Sequence, residues 1–548
     1  MMNAPDLRTR HLADSFGLGS LDMSALARSA PPMASFALRA AGLARAAHPL
    51  RRSPPMYRNR LPAAPSRGEF ASTIGRLGRV LRLVSVALAL TSPAAAQSAG
   101  GPASLDTNQR LARAIYKELI EINTMDSVGS TTTAAEAMAK RFLAAGFPAK
   151  DVQVLGPRPD KGNLVVRYHG TGVRKPLLLL AHLDVVAALK SDWSMDPFTF
   201  IEKDGYFYGR GTSDDKAMAA IFVANLLRYK QEGYVPDRDV ILALTADEEG
   251  GTANGVQWLL ANHRDLIDAA YALNEGGGGS LRDGKPFQHN VQATEKVYTD
   301  FTLTVRNAGG HSSVPRRDNA IYQLAAGLVR LQQFAFPVGL NEVTRGFFER
   351  TATIEKPQMA AAMRAIAKNP NDKAAAATLS ADPRYNSMLR TTCVATRLFG
   401  GHANNALPQL ATANVNCRML PDAKPADVRA TIIRALADTA IAVSPVDDIP
   451  YAAPSPLMPE LMGSVEQLTK QMFGPIPVIP TMSTGATDGR WLRGGGIPTY
   501  GVSGLFGDPT DIRAHGRDER MMVKSFFDGQ EFLYRLVRQL SSGKQPIS

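Results

Sequence analysis

The stretch Pro176-Leu177-Leu178-Leu179-Leu180-Ala181-His182-Leu183-Asp184 decides how this chain is read. Its uninterrupted apolar run suits a strand at the centre of a sheet, covered on both faces. The run ends on an imidazole and a carboxylate two positions apart, so both project from one face of the strand end. Working outward, strands are expected at 165–168, 239–245 and 270–273, with helices over 216–230 and 255–262. Strands alternating with helices of this length predict an α/β fold with a mostly parallel central sheet. Upstream, 108–122 and 131–145 read as amphipathic helices, the second stopped by Gly146.

Downstream the pattern changes. Residues 298–306 alternate Tyr, Phe, Leu and Val with polar residues, as in a strand with one wet face. A helix follows over 319–334, then an Ala-rich, polar, helical stretch over 341–390 with no identifiable chemistry. Short β-like runs at 391–396 and 413–419 and a helix over 425–439 come next. The α/β pattern returns from 453 through 466–472, 494–501 and a last helix over 523–540. The expected organisation is an N-terminal extension (1–104), an α/β domain in two parts (105–297 and 453–542), and an α+β domain (298–452) interrupting it.

The chemistry-bearing residues sit at the ends of these elements. A lone His182-x-Asp184 is structural in most proteins, although a neutral imidazole binds zinc well and a neighbouring carboxylate commonly orients it. Asp214 and Asp215 follow a Gly-rich turn and begin a helix. One carboxylate there is an ordinary cap, but two adjacent ones repel unless a cation lies between them. Asp247-Glu248-Glu249 ends the strand over 239–245, and three consecutive acids at a buried strand end are costly without a positive counterpart. A solvated acidic turn explains any one cluster and hardly all of them. With Glu275 beside glycines and His515 near the C-terminus, they read as one site for two cations.

In their order, HLDVV (182–186), GRGTSDDK (209–216), DEEGG (247–251), NEGGGG (274–279), GGHSSVP (309–315) and AHGRDE (514–519) resemble one family. It is the co-catalytic zinc metallopeptidase family of aminoacylases, bacterial glutamate carboxypeptidase, carboxypeptidase S and succinyl-diaminopimelate desuccinylase. The resemblance spans about residues 105–540 and is nearest the carboxypeptidase S-like branch. It implies a zinc-peptidase-like catalytic domain interrupted by a lid and dimerisation domain, and two Zn²⁺ per subunit with Co²⁺ or Mn²⁺ as substitutes. Asp214 would bridge the ions. His182 and Glu275 would complete one site, Glu249 and His515 the other. Glu248 would be the general base, Asp184 would orient His182, and the Asp214-Asp215 peptide would be cis.

The resemblance further implies that His311 stabilises the oxyanion across a dimer interface, and that Asn405, Arg418 and Gly485 meet the substrate's carboxylate end. The implied reaction is amide hydrolysis next to a free carboxylate, by a metal-bridging hydroxide. Candidate substrates are peptides losing a C-terminal residue, or N-acyl amino acids. A non-catalytic protein on this scaffold would lack a ligand or the base, and none is missing. Gly-x-Ser-x-Gly, the mark of many serine hydrolases, is absent. Two departures stand out: Ala187 where relatives often have Pro, and Asn405-Ala406-Leu407-Pro408 for the commoner Asn-Val-Ile-Pro. The 341–390 stretch is longer than in compact relatives and bears on the substrate entrance or the dimer contact.

Composition bounds the rest. With 45% hydrophobic and 20% charged residues, 548 residues can build two or three domains and are not disordered throughout. The net charge of +12 is no nucleic-acid signal, because residues 1–97 supply +9 of it. Arg76, Arg79 and Arg82, the apolar run 83–90 and the small residues to Ala96 resemble a secretory signal cleaved near 96/97. Export, to the periplasm or beyond, is therefore expected, with no membrane contact after cleavage. A short membrane anchor or a buried helix is the alternative for that run, and upstream residues 1–70 read either as a transit peptide or as lying before a true start at Met56. Cys393 and Cys417 are the only cysteines, and either a disulfide or two buried thiols fits them.

Overall fold

In the computed structural model, which describes residues 105–446 and 452–543, the apolar run forms strand Leu177–His182, buried at every position. Val240–Thr245 and Tyr271–Asn274 flank it in parallel, and Thr499–Gly501 adds a fourth parallel strand. These four are the expected parallel centre. The ten-stranded sheet around them is mixed. Asn163–Tyr168 and Val152–Leu155 extend one side antiparallel. On the other side Lys285–Glu295 pairs antiparallel with Thr499–Gly501 and Gly279–Arg282, and parallel with Val478–Ser483.

Continuous apolar strands need cover on both faces, and the core divides accordingly. Leu177, Leu179 and Ala181 pack into one cluster with helices Thr107–Glu121, Lys216–Gln231 and Val523–Leu540. Leu178 and Leu180 pack into another with Val256, Leu259 and Leu492 of Gly255–Asn262 and Gly489–Gly494. Lys216–Gln231 is apolar nearly all round, as an interior helix must be. The strand Lys285–Glu295 was not foreseen. Its Val291 and Ala293 face the first cluster, but Gln288, Asn290 and Gln292 line a cavity, so its residues carry a weak apolar pattern.

A second, antiparallel sheet runs in the order Thr392–Gly400, Leu410–Met419, Val297–Arg306, Ala442–Pro445. Helices Ala320–Gln333 and Pro425–Leu436 cover one face of it around Phe301, Leu303, Leu324, Val415 and Ile432. Cys393 and Cys417 lie opposite each other in register and are joined as a disulfide. The 341–390 stretch forms helices Glu342–Thr351, Pro357–Lys368, Lys373–Ser380 and Pro383–Leu389. They share an apolar cluster that includes Met482 of Val478–Ser483, and Arg350 Nη1 donates to the Val478 carbonyl at 2.8 Å. This helical group is thus seated on the large sheet. All described residues belong to one unit, Ser98–Ser548, and none of their helices is long and apolar enough to cross a membrane. The signal-like segment lies outside the described residues.

Candidate metal centre

Three adjacent parallel strands end on one edge of the large sheet, where ligands of open α/β sheets gather. Leu177–His182 delivers His182, Val240–Thr245 leads into Glu248 and Glu249, and Tyr271–Asn274 is followed by Glu275. Asp214 closes the Gly-rich turn before helix Lys216–Gln231, and its peptide bond to Asp215 is cis. His515 comes from far along the chain. A small antiparallel ribbon, Ile201–Lys203, Tyr206–Tyr208 and Arg520–Met522, ties its loop back to the Gly-rich turn.

The seven residues expected around the cations converge. His182 Nε2 lies 3.0 Å from Asp214 Oδ1 and 3.9 Å from Glu275 Oε1. His515 Nε2 lies 3.2 Å from Asp214 Oδ2 and 2.9 Å from Glu249 Oε2. One carboxylate therefore turns one oxygen to each imidazole, as a carboxylate shared by two cations would. Potential ligand atoms of His182, Asp214 and Glu249 lie within 4.8 Å of one another, as do those of His182, Glu248 and Glu275. Glu248 thus sits within ligand reach, beside Glu249. His182 Nδ1 meets the Asp184 main-chain oxygen at 3.0 Å, whereas the Asp184 carboxylate is 3.7 Å away. That carboxylate accepts from the amides of Glu248 and Glu249 at 3.1 and 2.9 Å, so it anchors the acidic loop more directly than the ring.

Several residues support the site in roles the sequence did not announce. Glu519, fully buried, accepts from Arg210, from the Gly211, Ser213 and Asp214 amides, and from the Ser213 hydroxyl. It fixes the turn that presents Asp214. Gly211, at φ +86°, is required there, because a Cβ would come within 2.9 Å of Val185. Asp247 holds a left-handed backbone (φ +56°), accepts from the Ala253 amide and pairs with buried Lys161. Asp488 accepts from Thr245 Oγ1 and Asn254 Nδ2 at 3.2 and 2.6 Å, pinning both ends of the acidic loop. Their only sequence signal was acids or Lys beside turn glycines, which surface loops share.

The electrostatics reflect crowded acids. Burial, and then the charge of Asp488, pushes Glu248 up to about 9, with His182 opposing. Burial and Asp214 raise Glu249 to about 7. Glu275 and Asp215 are raised well above the carboxylate range, chiefly by burial. Burial resists charge on His182 and Asp214, yet their mutual hydrogen bond prevails, raising the imidazole and lowering the carboxyl. Asp214 likewise lifts His515 to about 9. Buried Glu249 Oε1 has no hydrogen-bond partner. Imidazole and carboxylate donors packed this closely, with an orphaned oxygen among them, fit a pair of divalent cations.

The remaining expected residues lie apart. Arg418 donates to the Thr484 carbonyl at 3.1 Å, beside Gly485. A Cβ on Gly485 would meet only Ser483 Oγ at 3.5 Å, so close packing does not require glycine there. His311 pairs with Ala406 in a two-stranded ribbon, and the Ser312 amide donates to the carbonyl of Asn405, just before that strand, at 3.0 Å. His311 is exposed, and its Nδ1 accepts from Ser313. Neither residue lines the cavity against Asp214 and Glu275.

Residues 178–539 match peptidase family M20/M25/M40. The chain is 28% identical over 390 residues to the N-fatty-acyl-amino acid synthase/hydrolase of Homo sapiens, covering 68% of this chain and 76% of that protein. It is 29% identical over 377 residues to probable carboxypeptidase S-like 2 of Dictyostelium discoideum, covering 66% and 71%. Its fold is similar to that of an M20 family metallo-carboxypeptidase from Sulfolobus solfataricus, with TM-score 0.57, 18% identity, and 79% and 99% of the two chains covered.

Proposed function

The chain belongs to peptidase family M20/M25/M40 and is a metal-dependent hydrolase, and on that footing we propose that it cleaves an amide bond next to a free carboxylate. One observation carries the reading: Asp214 turns an oxygen to each of two imidazoles that are far apart in the chain. His182, Asp214 and Glu275 would hold one divalent cation; Asp214, Glu249 and His515 the other. Such cations polarise an amide carbonyl and lower the pKa of a water. Glu248 takes the proton of the attacking water and returns it to the leaving nitrogen, its amide held by the Asp184 carboxylate. Arg418, with Asn405 and Gly485, receives the substrate carboxylate, which a guanidinium fork grips at two oxygens.

N-acyl amino acids are the substrate class we favour, supported by the N-fatty-acyl-amino acid synthase/hydrolase named as the human relative. Removal of a C-terminal residue from peptides is the second reading, supported by the Dictyostelium relative. The enzyme acts as a homodimer through its antiparallel sheet, whose edge strand Thr392–Gly400 exposes Val394, Leu398 and Phe399. His311 of one subunit then serves the partner's oxyanion. Export is supported by the signal-like 76–96 segment and the Cys393–Cys417 disulfide. Zinc is the metal we propose, with Co²⁺ or Mn²⁺ able to replace it.

The test is Glu248→Gln. It should keep two metal equivalents per chain by elemental analysis while kcat falls about 10²- to 10⁴-fold. Full activity in that variant would remove Glu248 as the base.

A further inference from the structure

The helices that the sequence left without a role line a cavity continuous with the metal centre. A cavity of about 450 Å³ lies against Asp214 and Glu275. A second, of about 930 Å³, adjoins it, and Gly276, Ser280, Asn290, Asp508 and Ile512 line both. No candidate metal ligand lines the second cavity. Its wall includes Phe347 of Glu342–Thr351 and Tyr385 and Met388 of Pro383–Leu389, together with Phe287 and Met482, and charged Arg282, Asp283, Glu355, Arg384 and Asp508 line it as well. The Tyr385 hydroxyl is engaged by Glu355, which leaves its ring, 6.3 Å from that of Phe347, as apolar wall.

A pocket of roughly 300–1,000 Å³ already encloses a drug-sized ligand. The first cavity is therefore enough for an acetylated amino acid, and the second is surplus to it. Within the amide-hydrolysis reading, on which this inference rests, the amino acid has a fixed size and a tethered carboxylate. Only the acyl group can extend. We propose that residues 342–389 are the specificity element of this enzyme, with Phe347, Tyr385 and Met388 receiving the distal methylenes of a long acyl chain. These helices share their apolar cluster with Met482, two residues before Thr484, whose carbonyl holds Arg418. The strand that carries Met482 thus also leads into the carbonyl that holds the carboxylate anchor. Each methylene moved from water into such a wall is worth roughly fourfold, so discrimination accumulates over several carbons.

The experiment compares kcat/KM for N-acetyl, N-octanoyl and N-dodecanoyl derivatives of one amino acid, using the metal-loaded full chain. The wild type should favour dodecanoyl over acetyl by at least tenfold. Ser387→Trp, at a half-buried position lining the second cavity, should narrow that cavity and lower the ratio at least tenfold. Phe347→Ala, which removes wall, should move the preferred length upward, and circular dichroism shows that each variant is folded. A ratio unchanged in both variants, or no length preference in the wild type, overturns the inference while acetyl turnover leaves the amidase reading standing. Turnover of C-terminal peptides and of none of the three acyl derivatives overturns the favoured substrate class and the inference together.

Discussion

At the scale of single residues, burial decides what each polar group can do. His289 is fully buried, its Nδ1 facing Thr469 Oγ1 at 2.8 Å and its Nε2 the Ser503 carbonyl. Burial pulls its pKa down from 6.5 to about 4. Between those values the unfolded chain binds a proton that the folded chain refuses, so stability is full above pH 6.5 and falls as pH drops through the window. The loss approaches about 3 kcal/mol. His289→Gln should flatten the slope of urea-unfolding free energy against pH over that range; parallel slopes would rule the residue out as its source. Glu519 makes the opposite case, an anion whose burial is matched by Arg210 and three amides. Glu519→Gln strands the Arg210 guanidinium and should cost about 3–5 kcal/mol. It should also weaken metal binding, because the Asp214 turn loses its anchor. Thermal unfolding and metal content check both effects, and unchanged metal affinity would separate the anchor from the site. Sequence reading picked out the residues that converge on this site because two histidines and paired acids at strand ends are uncommon. It passed over Glu519, Lys161, Asp247 and Asp488 as supports, since acids and Lys near turns are also ordinary surface residues.

At the scale of elements, the parallel centre was legible and its margins were not. Leu177–His182 and Val240–Thr245 are apolar throughout because helices cover both faces, so pattern alone identifies them. Lys285–Glu295 escaped because one side of it meets a cavity, and Val478–Ser483 because Pro480 interrupts its pattern. The edge strand Thr392–Gly400 presents exposed apolar side chains and an open hydrogen-bonding edge. If two copies pair there, replacing Leu398 and Phe399 by Lys should convert a dimer into monomers in sedimentation velocity. Turnover should fall about 10²- to 10³-fold as the oxyanion donor is lost. A wild type that is monomeric and fully active would refute the exchange of His311 between subunits.

At the scale of the whole molecule, the metal centre is a junction. It joins three strand ends, the turn before an interior helix, and a loop held by the ribbon that pairs Arg520 with Tyr208. Removing the cations should therefore lower thermal stability as well as abolish activity. With metal at a hundredfold excess over its dissociation constant, that difference is about 2.7 kcal/mol. Dialysis against a chelator should lower Tm and activity together, and Zn²⁺, Co²⁺ or Mn²⁺ should restore both. Activity surviving complete metal removal would sink the hydrolytic scheme.

The sequence by itself determined the α/β class and the pairing of acids and imidazoles at strand ends, because apolar runs and the clusters ending them obey local rules of burial and charge; the family those clusters resemble supplied the metal-dependent hydrolase reading. Only the tertiary structure decided that Asp214 faces both His182 and His515, and that Glu519 and Lys161 brace the site. It also revealed the cavity that residues 342–389 help to line. Those features depend on which residues distant in the chain become neighbours, and burial and partnership arise only once strands pair and helices pack.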